Sequence, residues 1–584
     1  MRVQSFVIFL LFLFVHGRYA PGPAIFPLNL SAADESIGEL QTTLDDAVNS
    51  LLLSSSKGGI RLSDEGVSSW AVQLTSSEET LWSSFHTPNA LLKDDDMKQT
   101  KVDGDTTFRI ASISKTITVY ALLRENSINL DDPVTLYIPE LIQGVQEPWL
   151  VHWDQVTLRS LASFLSGMPR DTGGPCFVWR ELSELGYNLG GDSVESPLDT
   201  ASSIKVLENK SCTALDVIDR ARVAPRVFAV NDRPTYSNAA FSLLGIVLER
   251  ATGLSFEEAV RKSILDPLEL SNTTTQTPPK SKGIIPPISN HWDTLLGAAD
   301  ATPNDMSKYL RSILNAELLP RNTINAWLKP HSWTNSGTST AYGLGWEFLR
   351  TTRLTYDGRP LEIISKAGAL HGYHSWVMLL PELGLGLSVM VAGTVNTMEA
   401  IRETVVTALI PPIELIARKR AIARYAGVYR VDNVKNESHI RISVDENGPG
   451  IYIAEWVYNN RDILSLYGAV EGMPTQRASW TAKLIPANLP GTGSNLEMWR
   501  VICLSKYETD GKDNLFGDFH LTDIDDINYG QHGLGDIRIV LDENSHASKI
   551  DIPALGMKLR RITYEPNRTE EPSNLAGFYP SFEL

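Results

Sequence analysis

The stretch Phe108-Arg109-Ile110-Ala111-Ser112-Ile113-Ser114-Lys115-Thr116 sets a serine and a lysine three residues apart at the head of an apolar run that continues to Leu123. That run predicts a buried helix over Phe108–Leu123, entered from a strand, with Ser112 and Lys115 on one helix face. A serine hydroxyl is a weak nucleophile until a neighbouring base takes its proton. A lysine serves as that base when burial and nearby positive charge lower its pKa. A helix N-terminus also favours the negative charge that develops on the oxygen. The Ser-X-X-Lys spacing alone decides little, because it recurs at Ser54–Lys57 and Ser202–Lys205.

Working outward, two further polar motifs follow in order. Tyr236-Ser237-Asn238 stands just before an amphipathic helical run, Ala239 to Thr252, which Gly253 stops. Lys366-Ala367-Gly368 comes later, on a strand-like segment. Each lies more than one hundred residues past the one before it, as separate elements converging on a cleft require. A competing Tyr458-Asn459-Asn460 falls after the Lys-X-Gly, in the β-rich tail.

With these residues in this order, the chain resembles the class C β-lactamases and related esterases and D-amino-peptide hydrolases. Connecting segments support the resemblance: Leu130-Asp131-Asp132-Pro133-Val134, Val156-Thr157-Leu158-Arg159, Ser166-Gly167-Met168-Pro169, Leu244 to Glu249, Ala251-Thr252-Gly253 and Tyr342-Gly343-Leu344-Gly345-Trp346. The match covers roughly residues 35 to 415. It implies an α/β fold of the β-lactamase/transpeptidase type, an antiparallel sheet flanked by helices plus a helical subdomain. It also implies site roles. Ser112 attacks an acyl carbon, and Lys115 and Tyr236 share the proton transfer, one or both as base. Asn238 orients Lys115 or the substrate. Lys366 holds down the Tyr236 pKa and meets a substrate anion. Gly368 admits the substrate to the strand backbone, and the N–H groups of Ser112 and Ala369 form the oxyanion hole.

The sequence departs from the family at Ala367, where the Lys-Thr-Gly triplet carries a hydroxyl. That weakens the case for efficient β-lactam hydrolysis or carboxylate recognition and favours ester cleavage or acyl transfer. His371 and His374 follow closely; either could line the cleft as a substrate-binding group, or be structural. There is no Gly-X-Ser-X-Gly elbow, no His-Glu-X-X-His helix and no His/Cys cluster with metal spacing, so neither metal nor cofactor is expected.

The 584 residues and the 42% hydrophobic share suit two domains after removal of a leader. A formal net charge of −17 argues against nucleic-acid partners, since phosphate contacts need clustered Lys and Arg. Arg2 and the wholly apolar Phe6 to Val15 read as a secretory signal, too short to anchor comfortably in a bilayer. Gly17 and Ala20 offer cleavage points. Pro21 disfavours the second, so the expected signal is 1–17, with an uncleaved anchor as the alternative. Domains are expected over 30–415 and 420–584, in a secreted chain that has no membrane contact after cleavage. In such a chain Cys176 and Cys212 could pair across an insertion-like region, leaving Cys503 as a buried thiol, although three cysteines permit three single bridges. Sequons occur at Asn29, Asn209, Asn272, Asn436 and Asn567, at about the frequency chance would produce.

Further elements follow from the patterning. Helices are expected over Ile37–Leu53, Val156–Leu165, Ser237–Thr252, Phe256–Leu265, Asp305–Leu314 and Met398–Leu409, the last broken by Pro411-Pro412. Strands are expected at Ser68–Thr75, Thr80–Ser84, Tyr342–Phe348, Trp376–Leu380 and Gly384–Ala392. Beyond about Arg420, strand-like runs at Ile440–Val444, Ile451–Val457, Leu496–Leu504, Ile537–Leu541 and Lys558–Thr563 predict a β-rich sandwich or barrel. Arg424 to Tyr429 resembles the opening strand of the β-rich domains that follow this hydrolase domain in secreted fungal β-lactamase-like proteins. The irregular segment Arg170 to Arg233 reads as an active-site loop or lid.

The leading expectation is a secreted serine hydrolase that cleaves a small-molecule ester, amide or lactam through a Ser112 acyl-enzyme. The alternatives are an acyltransferase using the same intermediate, or a non-catalytic binding protein on the same fold.

Overall fold

The computed structural model describes residues 22–53, 68–89, 101–144, 147–172, 213–275, 299–334, 336–337, 339–370, 372–432, 435–489, 495–505, 524 and 527–563. The expected signal 1–17, the Cys176–Cys212 pair, His371, Asn209 and Asn567 lie outside them. The chain divides into two compact units. One comprises the described residues within Asn29–Thr351 and Leu361–Leu409; the other comprises those within Met1–Leu28, Thr352–Pro360 and Ile410–Leu584.

In the first unit, helix α1 (Glu35–Leu53) precedes the hairpin β1 (Ser69–Ser76) and β2 (Thr80–His86). Strand β3 (Phe108–Ala111) runs into helix α2 (Ser114–Arg124) and pairs with β4 (Ala299–Ala301). Helices α3 (Asn238–Thr252) and α4 (Pro303–Asn315) follow, then β5 (Ser332–Trp333), β6 (Thr340–Tyr342), β7 (Glu347–Thr351), β8 (Leu361–Leu370), β9 (Tyr373–Leu380) and β10 (Leu385–Ala392). Eight strands form one antiparallel sheet in the order β2-β1-β10-β9-β8-β7-β6-β5. Strands β1 and β10 are buried along their whole length. A strand with both faces covered must be so, and the run Leu385-Gly-Leu-Ser-Val-Met-Val-Ala392 duly shows no polar alternation. Helix α4 covers one face of these two strands.

Helix α3 shows how local chemistry sets the boundaries. The Ser237 side chain caps the Ala240 N–H, and Gly253 ends the helix with φ +69°. Three expectations need correction here. The predicted helix Phe108–Leu123 begins only at Ser114, because Phe108–Ala111 pair with β4 as β3. The predicted strand Tyr342–Phe348 is two strands, β6 and β7, joined by a turn in which Gly345 takes φ +77°. The predicted helix Val156–Leu165 shrinks to Leu158–Ala162, because Phe164 adopts φ +63° and turns the chain towards the site.

Helix α5 (Val395–Tyr425) runs through Pro411-Pro412, where a break was expected. Proline inside a helix costs about 3 kcal/mol. An apolar stripe of Ile413, Ile416, Ala417, Ala421 and Tyr425 is buried beyond it, and Glu414 forms a bidentate pair with Arg359. Burial of that stripe outweighs the proline penalty at about 1.5–3 kcal/mol per large side chain.

The second unit resolves the choice between sandwich and barrel. Its strands are β11 (Gly427–Arg430), β12 (His439–Val444), β13 (Ile451–Tyr458), β14 (Arg461–Asp462), β15 (Trp480–Pro486), β16 (Leu496–Ser505), β17 (Asn528–Tyr529), β18 (His532–Gly533), β19 (Asp536–Leu541), β20 (Ala547–Ile552) and β21 (Met557–Thr563). The order β12-β11-β21-β20-β19-β16-β15-β13 closes on itself because β12 also pairs β13, giving an eight-stranded barrel with β14 appended. Trp456, Trp499, Tyr429 and Tyr467 fill the core, and Cys503 is buried with them. Tyr458-Asn459-Asn460 forms the β13–β14 turn, with both asparagines at positive φ, so this competing motif is hairpin chemistry.

Candidate active site

Strand β3 ends at Ala111 and helix α2 starts at Ser114, so Ser112 sits at the elbow between them. Ala111 holds φ +48°, a conformation that costs an L-residue about 1–2 kcal/mol. The turn is pinned on both sides. Ser375 Oγ donates to the Ile110 carbonyl at 2.7 Å, and Ser114 Oγ donates to the Ala111 carbonyl at 2.6 Å. The elbow leaves Ser112 half-buried and reachable.

Three polar side chains meet there. Tyr236 OH donates to Ser112 Oγ at 2.8 Å, and Lys115 Nζ donates to the same oxygen at 3.1 Å. Lys115 Nζ also donates to Asn238 Oδ1 at 2.9 Å. The other end of the Asn238 amide donates through Nδ2 to Asp171 Oδ1 at 3.0 Å, so the side chain is engaged at both ends and faces Lys115. Tyr236 stacks on Phe164 with ring centroids 4.9 Å apart, which is what the unusual backbone of Phe164 achieves. The Lys115 and Lys366 ammonium groups each lie 5.0 Å from the centre of the Tyr236 ring.

Lys366, on β8, is buried with 1% of its side chain exposed. Its Nζ donates to Glu347 Oε1 at 2.6 Å and to the Ala367 carbonyl at 2.7 Å. Glu347 Oε2 accepts the Ala367 N–H at 3.0 Å. That bond reveals the direction of the strand edge. Pairing of β7 with β8 stops at Glu347–Ser365, so the Ala367 N–H points to an edge without a strand partner. The Ala369 N–H, two residues on, points the same way by strand alternation. Gly368 lies between them, and a Cβ there would stand 3.1 Å from Ser112 N and collide with the Ile110 carbonyl and Ser375 Oγ. Only glycine lets β8 approach the serine elbow this closely.

His374 does not line the site. Ser375 Oγ reaches Ile110, and neighbouring side chains on a strand point to opposite faces. His374 therefore faces the far side of the sheet, where Glu399 acts on it and burial pushes its imidazole below the usual value.

The electrostatics favour a reactive pair. Burial pulls the Lys115 ammonium below its ordinary value, and the Lys366 and Arg170 charges add to this against the opposing Tyr236. Burial by itself pushes Tyr236 up. The charges of Lys115 and Lys366 outweigh it, together with the bond to Ser112, and bring the phenol below its usual value. Burial likewise pulls Lys366 down, but the Glu347 carboxylate wins and keeps it charged.

Sequence reasoning missed Glu347, Asp171, Arg170 and Phe164. Each adjoins a motif that was read: Glu347 follows Tyr342 to Trp346, Arg170 and Asp171 follow Ser166 to Pro169, and Phe164 precedes it.

A family model described as Beta-lactamase matches residues 90–410, and one described as a Beta-lactamase-like-like, C-terminal domain matches residues 417–563. A protein named as a probable hydrolase from Phoma sp. is 29% identical over 435 residues, 72% of this chain and 71% of its own. A beta-lactamase-like protein from Arthroderma benhamiae is 29% identical over 467 residues, 76% of this chain and 74% of its own. A solved structure described as a class C beta-lactamase, 15% identical, covers 65% of this chain and 98% of its own with a TM-score of 0.46. Through the match over residues 90–410, the chain belongs to the beta-lactamase family of hydrolases and carries a beta-lactamase-like C-terminal domain after it.

Proposed function

We propose that this protein is a serine hydrolase that cleaves an ester, amide or lactam of a small acyl substrate through a Ser112 acyl-enzyme, and that it acts outside the cell after loss of the apolar leader. The observation that carries this reading is the double hydrogen bond to Ser112 Oγ from Tyr236 OH and Lys115 Nζ. Both are groups whose proton affinity the site has lowered. With either deprotonated, the Ser112 proton has an acceptor within 3.1 Å. The oxygen then attacks the carbonyl carbon, and the developing oxyanion lies between the Ser112 and Ala369 N–H groups. As the tetrahedral intermediate collapses, the Lys115–Tyr236 pair returns the proton to the leaving group. Water repeats the sequence on the acyl-enzyme. Lys366 supplies the charge that keeps the phenol acidic, and Glu347 holds Lys366 in place. Ala367 carries no hydroxyl, so esters are favoured over β-lactams. The leader assignment rests on Phe6 to Val15.

The test is hydrolysis of p-nitrophenyl acetate by the purified protein beside Ser112→Ala, with mass spectrometry of the acylated protein. The expected loss in the variant is about 10⁴-fold or more, with the acetyl adduct on Ser112. Equal rates in both proteins would overturn the assignment.

A further inference from the structure

The charged groups around Ser112 can be sorted by what they already hold. Lys115 donates to Ser112 and Asn238, and Lys366 donates to Glu347 and the Ala367 carbonyl. Glu347 is engaged by Lys366 and the Ala367 N–H, and Asp171 Oδ1 accepts from Asn238. Arg170 differs from all of these. Its side chain is 67% exposed, and its guanidinium carbon lies 5.0 Å from the centre of the Tyr236 ring. It forms an ion pair with Asp171, whose Oδ2 stands 3.7 Å from Nε, beyond hydrogen-bond distance, so the edge of the guanidinium is not closed by a fork of hydrogen bonds. A guanidinium lying on an aromatic face keeps a planar fork of N–H donors at its edge, the geometry that matches a carboxylate.

The backbone of this residue is rigid even though its side chain is open. The Arg170 carbonyl accepts the Asn238 N–H at 2.7 Å and the Ala239 N–H at 3.3 Å. The preceding Pro169 carbonyl accepts Ser237 Oγ at 2.7 Å. The guanidinium is thus carried by the start of the helix that positions Tyr236 and Asn238. Across the site on β8, Lys366 is buried and already paired with Glu347, and Ala367 has no hydroxyl. Recognition of an anion from β8 is therefore lost, and Arg170 offers it from the other side.

We propose that Arg170 is a substrate-binding residue that takes a carboxylate carried by the acyl substrate, on the Tyr236 side of Ser112. This rests on the acyl-enzyme reading, and two measurements separate the failure of one from the failure of the other. The first compares p-nitrophenyl acetate with mono-p-nitrophenyl glutarate (carboxylate in the acyl half) and 4-acetoxybenzoate (carboxylate in the alcohol half). Rates are taken for the wild type, Arg170→Gln and Arg170→Lys at a pH above the acid limb, and read as the ratio of kcat/KM against the neutral ester. The ratio is expected to favour one carboxylate ester by about 10- to 100-fold in the wild type. It should collapse towards unity in Arg170→Gln, chiefly through KM, and be partly kept in Arg170→Lys. A Ser112-dependent neutral rate with a flat ratio, or a ratio unchanged in Arg170→Gln, overturns the proposal and leaves the acyl-enzyme standing. The second measurement needs no turnover: calorimetric titration of Ser112→Ala with mono-p-nitrophenyl glutarate and with 4-acetoxybenzoate. The favoured ligand should bind about 10-fold or more weakly once Arg170→Gln is added. Equal Kd values in both backgrounds for both ligands overturn the proposal even if no ester is cleaved.

Discussion

Tyr236, half-buried in the first unit, and Tyr425, buried in the second, are driven in opposite directions. Tyr236 donates to a serine and has two ammonium groups against its ring, which bring its phenol below the ordinary value despite burial. Tyr425 donates at 2.8 Å to Glu497, a carboxylate that also takes the Trp499 indole N–H and Arg424. Burial and the Glu497 charge together push Tyr425 well above the ordinary value. The difference teaches that burial sets how much a charge matters, while the sign of the neighbours sets which way the proton goes. One environment makes a phenol more acidic, as the proposed base requires. The other makes it a permanent hydrogen-bond donor and hence a structural group.

The largest test of that contrast removes each hydroxyl. Tyr236→Phe is expected to lower kcat/KM for p-nitrophenyl acetate by about 10³-fold, within the range for a lost acid–base group. Tyr425→Phe should stay within about threefold of the wild type. Comparable losses in both variants would break the comparison. Next in size is Lys366→Met, which removes a charge from the Tyr236 side only. Turnover requires the proton acceptor at Ser112 in its deprotonated form, so activity falls as pH drops through that pKa. Without Lys366, both Tyr236 and Lys115 rise, and the acid limb of kcat/KM should move to higher pH by about one unit. A limb that stays put or moves down would show that Lys366 does not set the acidity of the pair.

Asp171→Ala should cost about tenfold in kcat, because the Asn238 amide loses the contact that turns its oxygen towards Lys115. Asp171→Asn should recover part of the loss, as a side-chain oxygen is restored. The smallest effect lies in the second unit. A phenol whose folded pKa is raised stabilises the fold below its unfolded value near pH 10 and loses that contribution as pH climbs past it. Tyr425→Phe should therefore destabilise the protein by about 1–2 kcal/mol at neutral pH in urea unfolding, and by less than that above pH 10. Absorbance at 295 nm gives a matching readout: Tyr236 ionises while the protein is folded, and Tyr425 ionises only as it unfolds.

Much of the site could be read because its residues announce themselves locally. Ser112 and Lys115 stand three residues apart across a helix start, Tyr236 and Asn238 bracket another, and Lys366 and Gly368 sit on one side of a strand. What escaped depends on contacts between distant segments. Glu347 matters because β7 ends level with Lys366, a fact of strand register rather than of composition. Asp171 matters because the chain after Met168 is hydrogen-bonded to the start of α3. The proline pair in α5 misled for the opposite reason: local propensity was outweighed by burial of residues beyond it. In the second unit the strand runs were visible, but β15 and β20 were not picked out. Whether the strands made a sandwich or a barrel turned on one pairing, β12 with β13.

That pairing bears on how the protein behaves in a crowd. A sheet with free edges is a template on which another chain can add a strand. Among the described residues, the ring of eight β-strands in the second unit closes such edges, because its last strand hydrogen-bonds its first. Among the described residues, the open ends of the large sheets are β2 and the two-residue β5 in the first and the two-residue β14 appended to the barrel in the second. Of these open ends β2, at seven residues, is the longest, which makes the eight-stranded sheet the place to look when the protein is concentrated or heated.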